Sequence, residues 1–173
     1  MIVVNLFGSP GSSKSTLAAY IFSQLKMHNI NCELVTEFAK DKVWEESKAV
    51  FENQVYIFGK QFFRLTRINN KVDVAITDSP ILLSSYYNSD LNLEPELTNL
   101  VFKSFEIFNN YNVFLYRVKP YNPIGRFQSE DESNEIANDQ LNFLREHNIN
   151  FNYMPGNIDT GDFIVKEILK ILE

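Results

Sequence analysis

The chain opens on MIVVNLF, an apolar run, and closes on DFIVKEILKIL, where apolar residues recur every three or four positions. The first pattern predicts a buried parallel strand and the second an amphipathic helix. Between them the two kinds of pattern alternate. After Ser15, Leu17, Ala18, Ile21, Phe22 and Leu25 mark a helix that stops at His28-Asn29, and NCELVTE (31–37) alternates as a second strand. From about residue 40 to 69 the patterns are helical, with Val55, Phe58, Phe62, Leu65 and Ile68 on one stripe ending at Asn69-Asn70. VDVAITD (72–78) predicts a third strand, the segment from about Pro95 to Asn110 a helix, and NVFLYRV (112–118) a fourth strand. KPYNPIGRFQ is a loop by its prolines and glycine, followed by a helix over about 130–147 and a fifth strand at INFNYM. Strands alternating with helices predict a three-layer α/β/α fold around a parallel sheet of about five strands. A single domain over residues 1–173 is expected, since a chain of this length can bury its own core.

Composition narrows the class. A hydrophobic fraction of 45% and a charged fraction of 22% suit a soluble globular protein, and no segment stays apolar over the ~20 residues that a membrane span needs. The apolar start lacks preceding basic residues and a small-residue cleavage site, so it predicts a strand and a cytoplasmic protein, not a secretory signal. Cys32 is the only cysteine, which excludes an internal disulfide and a cysteine-based zinc site; it is read as a small buried residue. A net charge of -6 argues against broad binding to nucleic acid while leaving room for a local basic pocket. His28 and His147, each beside an asparagine at a predicted helix end, are read as surface residues.

The stretch GSPGSSKST follows the first strand and opens the first helix, the setting of a phosphate-binding loop. Gly8, Ser9, Pro10, Gly11, Ser12, Ser13, Lys14, Ser15 and Thr16 would surround a nucleotide's phosphates with backbone N–H groups and the positive end of the helix. Lys14 would reach the β- and γ-phosphates, and the Ser15 hydroxyl would bind Mg²⁺. The departure from G-x-x-x-x-G-K-[ST] is Ser13, which stands where the second glycine is usual. Serine there costs little if its backbone is already helical, and more if φ is positive.

Two carboxylates end predicted strands, Glu37 after the second and Asp78 after the third. Open α/β sheets place their chemistry there. Asp78 follows Val74-Ala75-Ile76 and fits an aspartate that holds Mg²⁺ directly or through water; the plainer alternative is a turn former ahead of Pro80. For Glu37 the alternative is a charge at the start of the next helix. Gln54 and Gln61 share a helix face, either lining a pocket with Arg64 or forming a solvated polar stripe. Phe58, Phe62 and Phe63 are read as core.

The order of phosphate loop, TEFAKDKVW, NQVYIFGKQFFRLTR, TDSP and a late GR-containing loop resembles the P-loop kinases of small metabolites. It is similar to the deoxynucleoside and ribosylnicotinamide kinases, and in length and layout to small phage-type AAA-domain proteins described as nucleotide kinases or ATPases. The resemblance spans nearly the whole chain, with the phosphate loop its one highly specific motif. It implies transfer of a phosphoryl group from ATP, with Mg²⁺, to a nucleoside, nucleotide or related small molecule. It further implies Glu37 as base toward the acceptor hydroxyl, Trp44 near the substrate, and Gln61 on a base edge. Kinases of this architecture close a lid after the fourth strand, here at about 119–132, where Arg117, Lys119 and Arg126 cluster. Arg126 is the candidate for the cation that arrives on closure; the alternative is a surface arginine paired with Glu130 or Glu132. The predicted catalytic set is therefore Lys14, Glu37, Asp78 and Arg126, with the metal on Ser15 and Asp78, although the two carboxylates could exchange roles.

Two departures stand out. The family's glutamate is followed by proline and this one by Phe38, and its acidic-Arg-Ser motif appears as Asp78-Ser79-Pro80, without the arginine. Rival readings are an ATP-driven switch, a kinase acting on a nucleic-acid base or end, and a phosphate loop that binds without catalysis. The first leaves no sensor module or arm in 173 residues, and the second runs against the acidic balance. No membrane partner is expected; a homodimer is left open.

Overall fold

The opening apolar run forms strand β1 (Ile2–Phe7), every residue of which is buried. Burial on both faces is what a central strand of a parallel sheet requires. The computed structural model describes residues 1–38, 53–124 and 128–173. Along them follow α1 (Lys14–Met27), β2 (Cys32–Val35), α2 (Gln54–Thr66), β3 (Val74–Thr77), α3 (Leu83–Tyr86) and α4 (Glu96–Phe105). The chain ends with β4 (Asn109–Tyr116), α5 (Glu130–Glu146), β5 (Asn152–Pro155) and α6 (Ile158–Leu172). The strands make one parallel sheet in the order β2-β3-β1-β4-β5. The chain builds β2 and β3 on one side of β1, and β4 and β5 on the other. The carboxyl end of β1 thus lies where the strand order reverses, the place where open α/β sheets bind ligands.

Alternation along β1 feeds two cores. Ile2, Val4 and Leu6 face α1 and α6, where Leu17, Ala18, Ile21, Leu25, Ile164, Val165 and Ile168 close over them. Val3 and Phe7 face the opposite layer, against Phe58, Leu65, Leu97, Val101, Phe105 and Leu144 from α2, α4 and α5. Each Val, Leu, Ile or Phe among them, fully buried, contributes about 1.5–3 kcal/mol. Cys32 is fully buried in the first core, and no helix among the described residues is long and apolar enough to cross a membrane.

Two expectations need correction. The inward face of α2 is Gln54, Ile57, Phe58, Gln61 and Leu65, while Val55 is 45% and Phe63 63% exposed. Phe63 is therefore not core, although Phe58 and Phe62 stack at 5.5 Å and Phe62 meets Phe108. A stripe drawn through apolar residues alone misplaces the face because both glutamines turn inward. The second correction concerns β4, which starts at Asn109 and not at residue 112. Asn5 donates to Asn110 Oδ1 at 2.9 Å and Asn112 Oδ1 at 3.0 Å, and Asn110 in turn donates to the Phe105 and Phe108 carbonyls. This amide network lets polar residues occupy sheet positions that a pattern reading assigns to a turn. Asn5→Ala should destabilise the protein by about 2 kcal/mol, because it leaves two amide oxygens short of a donor. An unchanged urea midpoint would contradict that role.

Candidate active site

After Phe7 the chain turns through Gly8 to Ser13 and enters α1 at Lys14. Gly8 has φ 133°, and a Cβ there would lie 2.5 Å from the Leu115 carbonyl oxygen and 2.7 Å from Ser12 Oγ. Gly11 has φ 85°, with the Tyr121 ring 3.2 Å from where its Cβ would be. Ser13 itself adopts φ 73° and ψ 14°, and its side chain makes no capping hydrogen bond. The loop therefore keeps the left-handed corner that glycine usually makes, with a serine in it, at a strain on the order of 1–2 kcal/mol. Ser13→Gly should relieve this strain, with part of the gain lost to the greater freedom of glycine in the unfolded chain. A net stabilisation of about 1 kcal/mol is expected as a higher urea midpoint; an equal or lower midpoint would contradict it.

Lys14 turns back into the loop, where Nζ donates to the carbonyls of Gly8 at 2.6 Å and Ser9 at 3.0 Å. The outer side of the loop rests on α5. Ser133, fully buried, donates to the Pro10 carbonyl at 2.7 Å and meets Ser9 Oγ at 3.1 Å, while Gly8 N–H donates to Gln140 Oε1 at 3.3 Å. Arg117, just past β4, pairs with Glu130 at 3.1 Å, donates to Asn134 and lies over the Tyr121 ring. The start of α5 is fixed by a reciprocal cap between Ser129 and Glu132, and the backbone hydrogen bond from Ser129 holds the Glu132 carboxyl below its usual range. Glu130 and Glu132 thus have partners in Arg117 and the helix cap. Ser133 and Gln140 were not legible as site residues. Their only signal is that they fall on one helical stripe with Ala137 and Leu144, where a polar residue is normally assigned to solvent.

The residues Glu37 and Asp78 are neighbours across the sheet edge. β2 and β3 are neighbours, with Val35 opposite Thr77, and Asp78 accepts the Glu37 backbone N–H at 3.0 Å. Thr77 in turn lies opposite Asn5 of β1, so Asp78 emerges beside the strand that leads into the phosphate loop. Asp78 is 6% exposed. Gln61 braces these strand ends from α2, accepting from Phe38 N–H at 3.3 Å and donating to the Thr36 carbonyl and Thr77 Oγ1. Arg64 donates to the Thr36 carbonyl at 2.7 Å and lies over the Phe38 ring. Ser15 and Thr16 are exposed on the first turn of α1. Trp44 and Arg126 lie outside the described residues.

This donor set fits a nucleotide phosphate and a hard cation. Ser12 Oγ is buried without a hydrogen-bond partner among the described residues, and no acidic residue stands in the first turn of α1. Among the described residues no group of three or more His, Cys, Asp or Glu could hold a metal ion by itself. Mg²⁺ needs no such cage, because it is commonly held by one or two carboxylates together with substrate phosphates.

No family model and no curated protein matches this sequence. Among solved structures the chain is similar to deoxyadenosine kinase from M. mycoides with bound dATP, with a TM-score of 0.63 and 17% identity over 97% of this chain and 99% of that one. Deoxyadenosine kinase from M. mycoides with the products dCMP and a flexible dCDP bound gives a TM-score of 0.58 at 16% identity, covering 99% of this chain and 100% of that one. At such identity the likeness is one of fold, and this chain shares with those kinases a three-layer α/β arrangement around a parallel five-stranded sheet.

Proposed function

We propose that the protein transfers the γ-phosphoryl group of ATP, with Mg²⁺, to a hydroxyl of a nucleoside, a nucleotide or a closely related small molecule. The observation that carries this reading is that β1, which leads into the Lys14 loop, lies beside β3, whose end leads to Asp78 hydrogen-bonded to Glu37. The fold shared with deoxyadenosine kinase supports the acceptor class. Lys14 exchanges the Gly8 and Ser9 carbonyls for phosphate oxygens, which hold an ammonium more strongly because they are charged. The N–H groups at the start of α1 add their dipoles. Ser15 and Asp78 hold Mg²⁺, which when bound neutralises charge on the β- and γ-phosphate oxygens. Glu37 takes the proton of the acceptor hydroxyl. Gln61 and Arg64, set on the same strand ends, shape the acceptor side of the cleft.

The test is to incubate γ-labelled ATP and Mg²⁺ with the protein and a panel of deoxynucleosides, ribonucleosides, nucleoside monophosphates and an oligonucleotide. Label on a nucleoside or nucleotide supports the reading. Label on the oligonucleotide alone would replace it with a kinase that acts on nucleic acid.

A further inference from the structure

Gln140 joins two places that the proposed reaction must hold in register. It is 1% exposed on α5, with Oε1 3.3 Å from Gly8 N and Nε2 3.0 Å from the Tyr87 hydroxyl. A peptide N–H can only donate, so the amide oxygen must face Gly8 and the NH₂ group must face Tyr87. This forces the phenolic oxygen to accept. Its single hydrogen then remains to be offered elsewhere, and no acceptor for it is present among the described residues.

Tyr87 follows α3. The residue is 44% exposed, its hydrogen bond with Gln140 is partly buried, and desolvation there raises the phenol well above its ordinary pKa. The charges of Tyr86 and Glu37 add to that rise, against an opposing effect of the Gln140 hydrogen bond. The phenol thus keeps its hydrogen at neutral pH. Gln140 sets the hydroxyl near Gly8 at the carboxyl end of β1, and β1 adjoins β3, whose end leads to Asp78 and so to the Glu37 that Asp78 holds.

We propose that Tyr87 positions the phosphoryl acceptor: the Gly8 peptide fixes the Gln140 amide, the amide fixes the phenol, and the phenolic hydrogen is donated to an oxygen of the acceptor beside Glu37. This rests on the kinase reading and deepens it, since the peptide that begins the phosphate loop then also sets a hydrogen bond to the acceptor. Donor and acceptor are held to one another through three linked groups, and orientation of this kind is worth a large part of a transfer reaction's barrier.

Two variants test it, with ATP and either deoxyadenosine or deoxycytidine as the probes. Tyr87→Phe removes only the hydroxyl, and should lower kcat/KM for the nucleoside by about tenfold, chiefly through KM, while the Kd for ATP changes less than about twofold. Gln140→Glu keeps an acceptor for Gly8 N–H but makes Tyr87 donate inward to the carboxylate. It should therefore show the same loss toward the nucleoside with Tyr87 still in place. A residue that served packing alone would lower the melting temperature and ATP affinity together and spare the nucleoside KM. If Tyr87→Phe does not fold, Gln140→Glu decides the matter. Transfer by wild type with both variants within twofold of it overturns the Tyr87 assignment and leaves the kinase reading standing. No transfer by wild type to any nucleoside or nucleotide of the panel overturns both.

Discussion

Replacing Lys14 with alanine is expected to lower turnover by ~100-fold or more and to weaken ATP binding measured by calorimetry. The ammonium sits 2.6 Å from the Gly8 carbonyl and 3.0 Å from that of Ser9, so it already lies where the loop turns over the start of α1. Phosphate oxygens would draw it off these neutral carbonyls, because hydrogen bonds between two charged groups are about twice as strong as neutral ones. Alanine removes the cation and also leaves the loop's carbonyl dipoles uncompensated in front of an anionic ligand. The fold should survive, since the position opens a helix and alanine is a good helix former. Circular dichroism and melting temperature near wild type would therefore accompany the loss. A variant with unchanged ATP affinity and turnover would show that the loop is only a strand-to-helix turn.

Glu37→Gln is expected to leave the Kd for ATP within about twofold and to cut transfer to the acceptor by ~10²–10⁴-fold, the range that a positioned general base contributes. The contact between the two carboxylate residues runs from the Glu37 backbone N–H to the Asp78 carboxylate, at 3.0 Å. Changing the Glu37 side chain therefore keeps that hydrogen bond and the aim of Asp78. Glutamine matches glutamate in shape but cannot take a proton. If the roles were exchanged, with Asp78 as base and Glu37 beside the metal, Glu37→Gln would instead raise the Mg²⁺ concentration needed for half-maximal rate. Titrating Mg²⁺ alongside the rate separates the two. Transfer at the wild-type rate, or an altered Mg²⁺ requirement with kcat preserved, would contradict the assignment.

What could be read from the chain divides along a physical line. The strands around Val4, Ile76 and Leu115 and the helices around Ile21 and Ile164 were legible because burial of apolar surface imposes its period on the sequence. The positions of the loop and of Glu37 and Asp78 were legible because each follows an apolar run that marks the end of a buried strand. Buried polar groups were not. Ser133 and Gln140 look solvated in one dimension, Gln61 fits a pocket or a solvated stripe equally, and nothing in the apolar run shows what Asn5 meets; each is inward because its partner is brought by a different segment: the Pro10 carbonyl, Gly8 N–H, the Thr36 carbonyl and the amide of Asn112. A sequence names one partner without showing the other. The positive φ of Ser13 was hidden for a related reason, since the residue type tells which angles are cheap and the fold decides which is used. The Tyr87 hydroxyl meets Gln140 because Ile81, Leu82 and Leu83, buried after Pro80, carry the chain into the short α3.

The most direct measurement of the central claim follows both fates of γ-labelled ATP in one reaction with Mg²⁺ and a nucleoside, counting label on the nucleoside against label released as inorganic phosphate. The proposed mechanism predicts that transfer exceeds release, that both fall with Lys14→Ala, and that Glu37→Gln loses transfer while still binding ATP. Rapid release of labelled phosphate, stimulated by a protein or nucleic-acid partner and with no label on any nucleoside or nucleotide, would contradict it and point to an ATP-driven switch.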